Sequence, residues 1–198
     1  GAYGNAYYEL VIGVFMLLFG INFNLYYFLM IRRFRDVFHS EELRAYLGIV
    51  AAAVLAIAVD VAHLYDSFAV SLRHAFFQVS SIITTTGFAT VDFNTWPTFS
   101  KGILMVLMFV GACAGSTGGG IKVARMLILG KTALSDMRKM LHPTAVSAVR
   151  FEGKPLADQT VRSVHVFITV YLMVFTVSFL LLCLEGFDLI TTFSALAA

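Results

Sequence analysis

Apolar residues fill four long stretches of the chain, and the reading turns on what interrupts them. Residues 10–30, 46–64, 103–129 and 164–184 each have the length of a membrane-crossing helix, which takes about 20 residues. The third is divided. Its arms, residues 103–110 and 121–129, are too short alone, and Gly111-Ala112-Cys113-Ala114-Gly115-Ser116-Thr117-Gly118-Gly119-Gly120 lies between them. Between the second and third stretches, Leu72, Ala75, Phe76, Val79, Ile82 and Ile83 recur at helical spacing. A helix of about a dozen residues reaches only about 18 Å. It therefore predicts a re-entrant segment that dips into the bilayer, with Thr84-Thr85-Thr86-Gly87-Phe88 carrying the chain back out. The rival is a β-strand through residues 82–91, but an unpaired strand in lipid leaves its backbone unsatisfied.

Lys and Arg orient these elements. Arg32, Arg33, Arg35 and Arg44 follow the first span, and Lys131, Arg138, Lys139, Arg150, Lys154 and Arg162 follow the third. Only Arg73 and Lys101 separate the second from the third. The positive-inside rule places the first two groups in the cytoplasm and the re-entrant segment outside. Trp96 then falls at the outer interface, where aromatic rings favour the headgroup layer.

The two polar runs carry the chemistry. Non-helical backbone at membrane depth survives only when buried in protein or lining water. Carbonyls presented there can replace the hydration shell of a cation. Gly87 can take a positive φ without a Cβ clash and so turn a carbonyl toward an axis. The short helix before it aims the negative end of its dipole at mid-membrane, which favours a cation. Thr84, Thr85, Thr86, Gly87 and Phe88 are thus the candidate filter, with the ion at Thr85 and Thr86. A Thr-rich capping turn is the bland alternative. Asp92, just outside, is a candidate for concentrating cations at the mouth, or an ordinary loop acid.

Glycine disfavours helix by about 1 kcal/mol relative to alanine, so residues 111–120 predict a break just inside the filter. A loop there could close a pore and swing aside. Close helix packing on small residues is one competitor. A phosphate loop is another, but Ile121 intrudes before Lys122 and no strand precedes the run. Lys122 and Arg125 sit near membrane depth, where a cation is a functional candidate. Carbonyls freed by the loop are a ready partner for Lys122, with snorkelling to the cytoplasmic surface the equal alternative, and snorkelling is the expected fate of Arg125. Asp60 and His63 read as interfacial, and Asn22 and Asn24 as bonding between helices.

Composition agrees. The 198 residues are 59% hydrophobic and 13% charged, with mean hydropathy +0.84. Ordinary soluble domains carry about 25% charge. The net charge of +2 is distributed by topology and implies no nucleic-acid partner. Cys113 and Cys183 read as free thiols, with no metal-ligand spacing. No clustered nucleophile, base or paired carboxylates indicate an enzyme. The last residues repeat earlier ones: Leu189, Phe193 and Leu196 overlay Leu72, Phe76 and Val79, and the fourth span overlays the second. With no initiator Met, and a positive cluster after rather than before the first apolar segment, the chain is expected to be part of a longer one.

Ser81-Ile82-Ile83-Thr84-Thr85-Thr86-Gly87-Phe88-Ala89, followed by residues 111–122, resembles the membrane subunit of the Trk/Ktr/HKT superfamily of potassium transporters, bacterial Trk-type. Asn22-Phe23-Asn24-Leu25 and Leu141-His142-Pro143 fit the same pattern. The resemblance implies an all-α membrane protein of helix–re-entrant helix–helix repeats in a bacterial cytoplasmic membrane. It implies K⁺ as the transported ion, no covalent cofactor, a homodimer in lipid, and cytoplasmic nucleotide-binding regulatory subunits. Residues 1–45 would hold the last helix of one repeat, 46–145 a whole repeat, and 146–198 the start of another. A small tetrameric cation channel with one hairpin per chain is the alternative.

Overall fold

The computed structural model describes residues 5–141, 149–186 and 188–197. The expected first span is not one helix. α1 (Ala6–Phe19) and α2 (Phe23–Met30) meet at 93°. Asn22 causes part of this: its side chain accepts from the Asn24 N–H at 2.9 Å and starts a new helix. The rest comes from a distant partner, because the Gly20 carbonyl accepts from Cys113 N–H at 3.0 Å and Phe23 N–H donates to the Gly115 carbonyl at 3.3 Å. The broken ends are thereby satisfied, as a break at membrane depth requires. Asn22 thus caps its own helix, and its side chain also bonds the Glu42 carboxylate on another, the kind of contact expected of it.

A short α3 (Phe34–His39) leads to α4 (Glu41–Asp60), capped by Ser40, whose hydroxyl accepts from Leu43 N–H at 3.3 Å. α4 is long and apolar enough to span. α5 (Phe68–Ile83) is the re-entrant helix, and the strand rival is excluded. At 16 residues it reaches about 24 Å, longer than the periodicity implied, because Ser67 caps it at its Val70 N–H. α5 packs between α1 and α4, and Tyr46, Val50, Ile57, Val61, Val79, Ile83 and Leu104 form the core around it.

The segment that returns from α5 is tied down by Trp96 and Asp60. Trp96 is 2% exposed, and its indole N–H donates to the Tyr65 hydroxyl at 3.1 Å, so it faces the protein rather than the headgroups. Asp60, expected as interfacial, anchors the next helix: one carboxylate oxygen accepts from Ser100 N–H at 3.2 Å and Ser100 hydroxyl at 2.6 Å. Arg73 Nε lies 3.0 Å from a Glu9 carboxylate oxygen, pairing α5 with α1, though the angle is not that of a hydrogen bond.

The third span is broken as expected, into α6 (Thr98–Phe109) and α7 (Val123–Leu141). α7 continues well past residue 129 on a polar face. His142 and Pro143 lie outside the described residues. A small hairpin follows, β1 (Arg150–Phe151) and β2 (Lys154–Pro155), closed by Glu152 and Gly153 at φ +50° and +74°. α8 (Asp158–Cys183) is the second continuous span, and α9 (Leu189–Ala197) packs against it and α6. Phe109, Phe175 and Phe193 meet there, with ring centroids 4.9–5.6 Å apart. The order of long helix then short helix seen in α4–α5 recurs in α8–α9. Both cysteines are free.

Candidate functional site

The fold brings the two polar runs together. α5 ends in a turn in which Thr86 N–H donates to the Ser81 carbonyl at 2.9 Å and Thr85 N–H to the Ile82 carbonyl at 3.0 Å. That is the Schellman pattern, which needs a left-handed residue in its middle and usually has glycine there. Here Thr85 takes it, at φ +53°. A β-branched residue in that region is strained by about 1–3 kcal/mol and persists only when its surroundings over-determine it. They do: the Thr85 hydroxyl donates to the Thr84 carbonyl and accepts from Gly119 N–H, both at 2.8 Å.

Thr84 is buried, with its hydroxyl on the Ser80 carbonyl at 2.6 Å and 2.8 Å from the Thr86 hydroxyl. From Thr85 to Phe88 the chain is exposed and leaves the helical path. Gly87 adopts the positive φ expected of it, +77°. Among the described residues, no N–H or O–H donates to the carbonyls of Thr86, Gly87 or Phe88. Asp92 is exposed and caps a short turn, accepting from Asn94 N–H at 2.9 Å.

The glycine loop lies directly beneath. Gly111 N–H donates to the Ile121 carbonyl at 2.9 Å and Ile121 N–H to the Phe109 carbonyl at 3.0 Å, closing the loop at its base. Gly120 turns the chain at φ +68°, in contact with Gly111 backbone. Ala112 and Cys113 are fully buried. Thr117 reaches α1, its N–H and hydroxyl donating to the Phe19 carbonyl at 3.4 and 3.3 Å. Lys122 Nζ donates to the Gly118 carbonyl and, at 3.4 Å, to the Ser116 hydroxyl. Of the two fates open to Lys122, the loop carbonyl is the one observed. Arg125 does more than snorkel, lying 4.0 Å over the Phe167 ring.

The loop also separates two cavities. One, of 440 Å³, lies by the turn after α5 and is lined by Met16, Phe19, Thr84, Thr86, Phe88 and Thr117. The other, of 1080 Å³, opens among Arg33, Arg44 and Lys154, with Asn22, Asn24, Glu42 and Ala114 on its wall. Glu42 has no counterpart among the sequence-derived candidates. It is 5% exposed, and one carboxylate oxygen accepts from Ala114 N–H at 2.6 Å and Ala124 N–H at 3.1 Å. A Glu in the first turn of a helix is ordinary, so nothing local marks it. Its partners lie on another span.

A re-entrant helix, an irregular exposed turn at its deep end and a broken span beneath define a pore-loop membrane protein. The family described as "Cation transport protein", TrkH, matches residues 1–198. The Trk system potassium uptake protein TrkG of Escherichia coli is 38% identical over 202 residues, covering 100% of this chain and 41% of its own. The Trk system potassium uptake protein TrkH of Salmonella typhimurium is 34% identical over 191 residues, 95% of this chain and 40% of its own. The crystal structure of the potassium transporter TrkH from Vibrio parahaemolyticus superposes with a TM-score of 0.89 at 33% identity, covering 98% of this chain and 43% of that one. The chain belongs to the TrkH family of cation transport proteins, and is a multi-pass protein of a bacterial membrane. It spans about two fifths of the length of these relatives.

Proposed function

We propose that this chain forms part of a potassium uptake pathway across the cytoplasmic membrane, as a transporter rather than an enzyme and without a covalent cofactor. Residues 84–88 supply one segment of a carbonyl filter, with K⁺ held by oxygens at Thr85 and Thr86. Residues 111–120 with Lys122 form the gate, and Asp92 stands at the outer mouth. One observation carries the reading: Gly119 N–H bonds the Thr85 hydroxyl, so the loop is fastened to the turn whose following carbonyls have no donor among the described residues. Ion selection and closure then act on neighbouring groups.

Residues 46–145 would be one helix–pore loop–helix repeat, with 1–45 and 146–198 belonging to its neighbours around the same axis. The full-length subunit would work as a homodimer in lipid, with cytoplasmic nucleotide-binding regulatory subunits. No observation favours a tetramer of one-hairpin chains, since the matched relatives are much longer single chains.

The test is Gly87→Ala in the full-length subunit, with K⁺ and Na⁺ flux measured in vesicles. A Cβ at φ +77° meets no neighbour within 4 Å but strains the backbone, at about 1 kcal/mol or more. The filter carbonyl should turn, and K⁺ over Na⁺ preference should fall about fivefold or more. Unchanged preference in a folded protein would remove residue 87 from the filter.

A further inference from the structure

We infer that Glu42 is the positioning residue that holds the glycine loop across the pathway, and that the cytoplasmic hairpin sets where Glu42 stands. This rests on the loop being the gate. Glu42 sits in the first turn of α4, yet its carboxylate reaches the break in the third span. A single oxygen takes one N–H from the middle of the loop, Ala114, and one from the first turn of α7, Ala124. It therefore fixes the loop relative to the helix that resumes the span. The N-terminus of α7 favours an anion there. Hydrogen bonds to a carboxylate are roughly twice as strong as neutral ones. The other ties described for Gly111, Cys113 and Thr117 are made to neutral carbonyls.

Glu42 is itself held from the cytoplasmic side. Its backbone N–H donates to a Glu152 carboxylate oxygen at 3.2 Å, and the same oxygen accepts from the Ser40 hydroxyl at 2.9 Å. Glu152 is the turn residue of the hairpin, so the hairpin delivers a negative charge to the N-terminus of α4. Lys131 of α7 clasps the same corner. It pairs with Glu41 and donates to the Arg150 carbonyl at 2.9 Å, with its ammonium 5.9 Å from the centre of the Phe151 ring. A chain of contacts thus runs from Glu152 through the first turn of α4 to Ala114. Lifting the hairpin removes the anion from that turn, frays it, and frees the loop.

Cys113 provides the readout, because it is fully buried beside Ala114. The experiment uses the full-length subunit in lipid vesicles. The rate at which a water-soluble maleimide labels Cys113 is followed by mass spectrometry of the labelled peptide, with K⁺ efflux measured in parallel. Glu42→Ala should raise the labelling rate roughly tenfold or more. Glu42→Gln should fall between alanine and the native protein, since its amide oxygen keeps both contacts without the charge. Glu152→Gly keeps the turn, whose φ of +50° suits glycine, and should raise labelling several-fold. Native labelling rates in all three variants would overturn the inference, and Glu42→Gln and Glu152→Gly decide it if Glu42→Ala fails to fold. Faster labelling for Glu42→Ala but not Glu152→Gly would overturn the hairpin's part. Faster labelling with unchanged efflux would uphold Glu42 as the pin and sink the gate reading instead.

Discussion

Replacing Gly111 with alanine should force the loop open. A Cβ at this position would overlap the carbonyl oxygen of Gly119 and lie 3.0 Å from Gly120 C and 3.1 Å from Gly119 C. All three atoms are backbone, so no rotamer change relieves the clash. Inserting a methyl into a packed site costs about 1–3 kcal/mol. The strands that must separate are those joined by Gly111 N–H to Ile121 and Ile121 N–H to Phe109. Taking about 2 kcal/mol against the closed arrangement shifts its equilibrium by roughly thirtyfold. The assay is basal K⁺ efflux from vesicles containing the full-length subunit. Efflux about 10–100 times faster is expected. Gly102→Ala is the control: it lies within α6 with no heavy atom within 4 Å of its Cβ, and its flux should match the native protein. If folded Gly111→Ala protein leaks within twofold of native, the loop is not the barrier.

Two other substitutions separate neighbouring roles. Thr85→Val removes the hydroxyl that bonds Thr84 and Gly119 but keeps the shape. It should cost about 1 kcal/mol and raise leak about fivefold. Thr85→Ser should stay within about twofold, and equal leak from both would show that the hydroxyl does not fasten the loop. Ser100→Ala takes one partner from Asp60, costing about 1–2 kcal/mol. Thermal unfolding in detergent should fall by about 2–4 °C per kcal/mol with flux unchanged, and an unaltered midpoint would mean the Asp60 contact is incidental.

The continuous spans, the re-entrant helix and the glycine break were legible because length and hydropathy decide them. The positive φ of Gly87 was legible too, since only glycine takes it without strain. What escaped the sequence depends on partners far along the chain. Gly20 and Asn22 sit in an apolar run that reads as one helix, and the bend shows only once residues 113 and 115 supply the missing bonds. Thr85 is a poor choice for a left-handed position by local rules, and Gly119 helps hold it there. Trp96 carries the composition of an interfacial residue, yet Tyr65 draws its indole inward. Glu42 resembles any first-turn acid until the third span is folded against it.

The mutual bonding of the two breaks has a consequence for biogenesis. The oxygen of residue 20 receives the amide of residue 113, and the amide of residue 23 finds the oxygen of residue 115. Either segment, released alone into lipid, would expose bare peptide groups to hydrocarbon. The earlier one is synthesised first, so its groups need water or another partner until residues 113 and 115 are in place. An interruption of the chain between the two should therefore leave the earlier break without its partners.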